Sequence, residues 1–147
     1  MRKSVLFVVV AGLLVAADQP KEEAVKKELD RFKGTWKIVS LEMNGQKTPA
    51  EGFEKARLIL KGDQFKMTMG EESFRGTFQV DPTQKPKTIE VTFTEGPDKG
   101  KTCQGIYELK GDTYKVCIGM PGNERPKEFA TKKDSGHVLE VFERVKQ

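Results

Sequence analysis

The run Phe32-Lys33-Gly34-Thr35-Trp36-Lys37-Ile38-Val39-Ser40 marks the place where the hydrophobic period of this chain changes. Before it, apolar residues recur with the spacing of an amphipathic helix. After it, apolar and polar residues alternate in short segments, which is typical of strands with one dry face and one wet face. The sequence therefore predicts an all-β domain that is entered from a short N-terminal helix through a Gly-x-Trp turn.

The segment before this turn predicts a helix within residues 18–33, regular from about residue 21 onward. Val25, Leu29 and Phe32 fall at i, i+4 and i+7 and make one apolar stripe. Pro20 suits the first helical position, and Gly34 suits the residue that ends a helix. We expect the helix to lie against the domain, across one mouth of a barrel. A mobile tail is the alternative.

The remaining residues, 34–147, predict an up-and-down antiparallel β-barrel of about eight to ten strands. Short hairpin connections favour this order, and closure removes the exposed edges of the sheet. A β-sandwich is the alternative, but it more often needs long crossovers. Nine strands are predicted, near residues 35–43, 56–61, 64–70, 73–80, 88–95, 102–109, 112–119, 127–131 and 138–145.

Two hairpins share one turn chemistry, with Gly62-Asp63 and Gly111-Asp112 each between alternating runs. The second turn decides the fate of the two cysteines, Cys103 and Cys117. A two-residue turn places them on opposite faces of the sheet, whereas a three-residue turn would bring them together. Apolar patterning favours the two-residue turn, so we predict free or buried thiols.

Residues 1–17 predict a cleaved signal peptide. A basic start at Arg2 and Lys3 precedes an apolar stretch over residues 5–15, and Ala17 follows as a small residue at the cleavage site. That stretch is shorter than the roughly 20 apolar residues that span a bilayer. We therefore expect an exported protein, periplasmic or extracellular, without a stable membrane span after cleavage.

Composition argues against several classes of function. The net charge of +4 comes from 26 basic and 22 acidic residues that are interspersed, so no cationic stripe suggests nucleic-acid binding. The single histidine, His137, excludes a histidine-rich metal site. Carboxylate pairs such as Glu22-Glu23 and Glu71-Glu72 fit solvated positions better than a general acid and base. We expect no enzyme activity, no metal and no cofactor.

The Gly34-Thr35-Trp36 turn resembles the first strand of the calycins, which include lipocalins and fatty-acid-binding proteins. In lipocalins an arginine of the last strand commonly packs over this tryptophan, and the resemblance assigns that structural closure to Gly34, Trp36 and Arg144. The chain also resembles a Planctomycetes-type family of uncharacterised exported lipocalin-like domains, which implies fold and export but no function. The pieces that carry this resemblance are residues 32–40, Gly76-Thr77-Phe78, Asp81-Pro82, residues 86–89, Gly105-Ile106-Tyr107, Gly111-Asp112, Cys117, Pro121-Gly122, Arg125-Pro126 and Phe129.

The resemblance to fatty-acid-binding proteins does not extend to their ligand-binding residues, which argues against a fatty-acid carrier. Fatty-acid-binding proteins usually hold the ligand carboxylate with an Arg-x-Tyr pair on the last strand, and alignment puts Glu140 and Phe142 there. An acid thus replaces the anionic anchor. Residues 44–55 are also too few for the two-helix lid of those proteins.

Two functional hypotheses remain for a protein that we expect to be a monomer. In the first, the barrel carries a small apolar or amphipathic molecule, with Gly76 and Gly105 making room in the interior. In the second, large side chains fill the barrel, which acts as a protein-interaction or envelope module. A cavity of a few hundred Å³ with a mouth would favour the first. The candidate interior residues are Met67, Met69, Phe78, Phe93, Tyr107 and Val116.

The loop over residues 119–127 is the best surface candidate for contact with another molecule. The alternative is that Arg125 fixes this loop through hydrogen bonds to carbonyl groups.

Overall fold

The computed structural model of this chain describes residues 10–146, with side chains described from Lys21 onward. One helix is followed by nine strands and a single 3-10 turn at Ala50–Gly52. The elements are α1 (Val10–Phe32), β1 (Gly34–Met43), β2 (Gln46–Lys47), β3 (Ala56–Lys61), β4 (Gln64–Met69), β5 (Glu72–Asp81), β6 (Lys87–Glu95), β7 (Thr102–Lys110), β8 (Thr113–Gly119) and β9 (His137–Arg144).

Eight of these strands form a closed antiparallel barrel. Strands β3 to β9 pair in sequence order, β1 pairs with β3, and β9 returns to pair with β1 from Trp36↔Arg144 to Met43↔Val138. Strand β2 only extends β1 as a small hairpin. This confirms the predicted all-β, lipocalin-like up-and-down barrel with an N-terminal helix.

The strand predicted at residues 127–131 is wrong, and β2 was not predicted. Residues 127–131 instead form a loop on the outside of β8. There the Lys115 ammonium lies 4.5 Å from the centre of the Phe129 ring, and the Cys117 thiol lies 3.6 Å from the Ala130 carbonyl oxygen. In a closed barrel each strand already has a partner on both sides, so this alternating segment finds no free edge to extend.

The predicted helix start near residue 21 is also wrong, because α1 begins at Val10 and passes through Pro20. The leucines and alanines before Pro20 are strong helix formers, so the sequence supports helix upstream of the proline. The predicted signal peptide lies partly outside the described residues, at 1–9, and partly within α1, at 10–17. The helix ends at Phe32, close to the predicted end.

Both Gly-Asp turns are two-residue turns at the same end of the barrel as α1. Lys61 pairs with Gln64 and Lys110 pairs with Thr113. Gly62 and Gly111 have positive φ of 59° and 56°, which such turns need. The second register leaves Cys103 and Cys117 buried and free, as predicted.

Candidate functional site

Helix α1 closes one end of the barrel with an aromatic plug, which we call the closed end. The Phe32 ring lies 5.7 Å from Phe78, 5.2 Å from Tyr107 and 5.0 Å from Tyr114, measured between ring centres. The indole N–H of Trp36 donates to the Phe32 carbonyl oxygen at 2.8 Å. Phe32 and Trp36 are fully buried. The plug therefore ties the last turn of the helix to the first strand.

Arg144 packs over this plug, as the lipocalin resemblance implies. Its guanidinium lies 4.3 Å from the centre of the Trp36 ring and donates to the carbonyl oxygens of Arg31 and Lys33. The Arg31 carbonyl lies in the last turn of α1, where carbonyl groups have no partner within the helix, and Lys33 directly follows that turn. A Cβ on Gly34 would lie 2.7 Å from the guanidinium, so the glycine makes room for it.

A buried carboxylate, Glu28, links the helix to the barrel at the closed end. Its side chain accepts hydrogen bonds from the Tyr107 hydroxyl at 2.6 Å, the Lys87 ammonium at 2.9 Å and the Arg31 guanidinium at 2.6 Å. Burial acts to raise the pKa of Glu28, but the hydrogen bonds from Tyr107 and Lys87 and the nearby charges outweigh it and lower the pKa. Both oxygens of this carboxylate therefore accept hydrogen bonds from within the protein.

The opposite end of the barrel, the open end, contains a cavity of about 380 Å³. Its lining is almost wholly apolar. The lining residues are Ile38, Leu41, Met43, Leu58, Leu60, Phe65, Met67, Met69, Phe74, Phe78, Ile89, Val91, Phe93, Asp98, Cys103, Tyr114, Val116, Ile118, Met120, Val138, Glu140 and Phe142.

Five of the six residues predicted for the interior line this cavity: Met67, Met69, Phe78, Phe93 and Val116. The sixth, Tyr107, does not. It is 1% exposed beside the Phe32 ring, and its hydroxyl is committed to Glu28. Tyr107 therefore belongs to the closed end, where its hydroxyl donates a hydrogen bond to Glu28 on α1.

The two glycines predicted to make room for a ligand do not line the cavity. A Cβ on Gly76 would lie 2.5 Å from the Phe65 ring and 2.0 Å from the Thr92 carbonyl oxygen. A Cβ on Gly105 would lie 2.6 Å from the Cys117 carbonyl oxygen. Both glycines therefore allow the close approach of neighbouring protein atoms.

Methionines surround the mouth of the cavity. Met43, Met69 and Met120 are 44%, 37% and 38% exposed and also line the cavity. With Met67 deeper inside, four of the five methionines of the chain contribute to it. Because methionine side chains are flexible and polarisable, such a rim adapts to different apolar shapes.

Glu140 is the one carboxyl group that a barrel strand contributes to this lining. It lies on β9 opposite Val116, between the inward residues Val138 and Phe142. Desolvation raises the pKa of Glu140 to about 7. Within residues 21–146 no side chain forms a hydrogen bond or ion pair with it, which distinguishes it from Glu28.

The sequence analysis named Glu140 only as the acid that replaces the fatty-acid anchor and did not consider Glu28, but the position of each residue in its element supplies a signal for burial. Glu28 stands three residues after Val25 and four before Phe32, inside the apolar helical stripe. Glu140 takes the inward phase of β9, between Val138 and Phe142. An acid in the apolar phase of an element is a candidate for burial.

Arg125 holds the long loop against the barrel. Its guanidinium donates to the carbonyl oxygens of Ile89 at 3.0 Å and Gly105 at 2.5 Å. This agrees with the structural alternative for Arg125 and gives the residue a fixed role in the fold.

Among the described residues, no group of three or more histidine, cysteine, aspartate or glutamate side chains is arranged to hold a metal ion. No helix in the described part of the chain is long and apolar enough to cross a membrane. Comparison of the chain with protein-family models, curated proteins and solved structures found no match.

Proposed function

We propose that this protein is an exported, non-enzymatic, lipocalin-like binding protein that carries a small apolar or amphipathic molecule in its barrel. The observation that carries the proposal is the apolar cavity of about 380 Å³ at the open end. The proposal includes a periplasmic or extracellular location, a monomeric state and membership of the Planctomycetes-type family that the chain resembles.

The size and lining of the cavity support a small ligand. Binding pockets for small molecules generally have volumes of about 300 to 1,000 Å³ and mostly apolar walls. At about 30 Å³ for each water-sized group, the cavity has room for about a dozen heavy atoms. An unbranched chain of about ten carbons fits this volume and would replace water at the methionine and phenylalanine side chains.

The alternative is a filled-barrel interaction or envelope module without a small ligand. The aromatic plug supports it, since Phe32, Trp36 and Tyr114 pack tightly at the closed end. Aromatic pairs such as Phe65 and Phe93 also lie at the open end, but they leave an apolar cavity of about 380 Å³ between them and the other lining residues, and we therefore favour the carrier.

Titration of the purified chain with 1-decanol, a neutral molecule of suitable size, tests the proposal. We expect binding in calorimetry and shifts of the ¹³C-methyl NMR signals of Met67 and Met69. The variant Val91→Trp should fill the cavity and weaken binding at least tenfold. Ile59→Trp is the matched control, since Ile59 lies on the outer surface and is 42% exposed.

Loss of binding in Val91→Trp but not in Ile59→Trp, with both variants folded by circular dichroism, would support the carrier. Equal binding by both variants, or failure of the unmodified chain to bind decanol and also its charged analogues n-decylamine and decanoate, would overturn it and favour the filled-barrel module.

A further inference from the structure

We propose that the cavity selects molecules whose apolar body ends in a protonated amine, with the Glu140 carboxylate as the counter-ion. This inference rests on the proposed function, because it names the chemical class of the ligand that the same cavity takes.

The position of Glu140 is the first argument. Its side chain lines the cavity, and among the described residues it has no hydrogen-bond donor or cation as a partner. A carboxylate in apolar surroundings is costly unless it is paired. A ligand ammonium group in the cavity would provide Glu140 with the hydrogen-bond donor and the positive charge that the described residues do not provide.

The other groups that line the cavity also favour a cation. The other titratable groups that face the cavity are Tyr114 on β8, Cys103 on β7 and Asp98 in the loop between β6 and β7. Strands β1, β3, β4, β5 and β6 add only apolar side chains to the lining. No lysine, arginine or histidine lies among the described lining residues, so the field in the cavity favours cations and opposes carboxylates.

Tyr114, whose ring also packs in the aromatic plug, lines the cavity on the strand beside Glu140 and carries a second oxygen that can accept a hydrogen bond. The two residues are diagonal neighbours, because Tyr114 pairs with Phe142 and Glu140 pairs with Val116. Side chains in this relation are about 7 to 8 Å apart at the backbone. The Tyr114 ring is held by stacking on Phe142, with 5.3 Å between ring centres. An ammonium group has three donors, and a site with two acceptors can satisfy more than one of them.

The pH dependence follows from this pairing. Glu140 must be ionised to hold the cation, and an alkylamine stays protonated up to roughly pH 10, like a lysine side chain. Amine affinity should therefore rise as the pH rises through about 7, the pKa that burial gives Glu140. Affinity for a fatty acid should change in the opposite sense, because its carboxylate meets an ionised Glu140 at high pH.

Calorimetric titration with n-decylamine, 1-decanol and decanoate, at pH 5 and pH 8, tests the inference. We expect decylamine to bind at least tenfold tighter than decanol at pH 8, with a smaller difference at pH 5. Glu140→Gln should remove this preference and strengthen decanoate binding. Glu143→Gln is the matched control, since Glu143 is exposed on the same strand.

Equal affinity for decylamine and decanol at pH 8, or an unchanged preference in Glu140→Gln, would overturn the amine selectivity while leaving the carrier function in place. Failure of all three compounds to bind would overturn the carrier function itself. Preservation of the preference in Glu143→Gln together with its loss in Glu140→Gln would support the inference.

Discussion

The two ends of the barrel place a glutamate in apolar surroundings in opposite ways. At the closed end, Glu28 is 3% exposed and has three donors, and its pKa is lowered. At the open end, Glu140 faces a cavity without a partner from the described residues, and its pKa is raised to about 7. The same functional group is thus stabilised as an anion in one place and penalised in the other.

This difference indicates that the closed end stabilises the fold, whereas the open end is available for binding. Hydrogen bonds satisfied within the protein rigidify a buried network. Glu140 is partly exposed and has no donor among the described residues, so a ligand in the cavity can supply a hydrogen bond that the protein does not. Substitutions at one end or the other should therefore change stability in opposite directions.

Removing the carboxylate at the closed end should have the largest effect. Glu28→Ala leaves Tyr107 and Lys87 without their acceptor, and we expect the free energy of unfolding to fall by about 3 to 4 kcal/mol at pH 7. Urea denaturation measures this loss. Because the pKa of Glu28 is lowered from its ordinary value of 4.5, the stabilisation is present above that value and is lost as the pH falls through the lowered pKa.

Glu23→Ala is the control for this variant, since Glu23 is exposed on the same helix. It should change the free energy of unfolding by no more than about 0.5 kcal/mol. Equal effects of the two substitutions would show that the network around Glu28 contributes nothing particular to the closed end.

Neutralising the carboxyl group at the open end should have the opposite sign. The folded protein binds a proton at Glu140 more tightly than the unfolded chain, so its penalty is absent below pH 4.5 and complete above about pH 7. Glu140→Gln should raise the free energy of unfolding by about 2 kcal/mol at pH 8.5 and hardly at all at pH 4. Destabilisation at pH 8.5 would mean that Glu140 has a stabilising partner.

A conservative replacement of Arg144 should destabilise the closed end less than removal of the Glu28 carboxylate. Arg144→Lys keeps the charge but loses the planar guanidinium that stacks on Trp36 and reaches the helix carbonyls. We expect the free energy of unfolding to fall by about 1 to 2 kcal/mol. Arg75→Lys, at an exposed pair with Glu95, should have almost no effect, and an equal loss there would contradict the role of Arg144.

The smallest expected effect is on the chemical reactivity of the two cysteines, which lie on opposite faces of the same hairpin. Burial and the nearby Asp98 raise the pKa of Cys103 to about 11, so its thiol should resist alkylation while the protein is folded. Mass spectrometry after alkylation in urea should find two free thiols even in protein kept under air. A disulfide would contradict the register of β7 and β8.

Local patterns made most of the barrel predictable. Strands such as β5 and β6 alternate clearly, and the two Gly-Asp turns fix the β3–β4 and β7–β8 hairpins. The segment at 127–131 alternates too, but pairing depends on a free strand edge elsewhere in the fold. The sequence pattern does not contain that information, because closure is a property of the whole sheet.

The interior was less predictable because lining a cavity depends on partners that are distant in sequence. Tyr107 has the inward phase of β7 but is engaged by Glu28, which is 79 residues away. Gly76 has no side chain, yet the Phe65 ring occupies the space above it. Alternation reveals which face a residue takes, whereas packing decides which end of the barrel is filled.

The most direct test of the central claim is an NMR titration that follows the carboxyl ¹³C signals of Glu28 and Glu140, with and without n-decylamine. The account predicts a pKa near 7 for Glu140 and one below its ordinary value of 4.5 for Glu28. It further predicts that decylamine lowers only the Glu140 pKa. Ordinary, equal values for both glutamates that decylamine leaves unchanged would contradict the difference between the two ends.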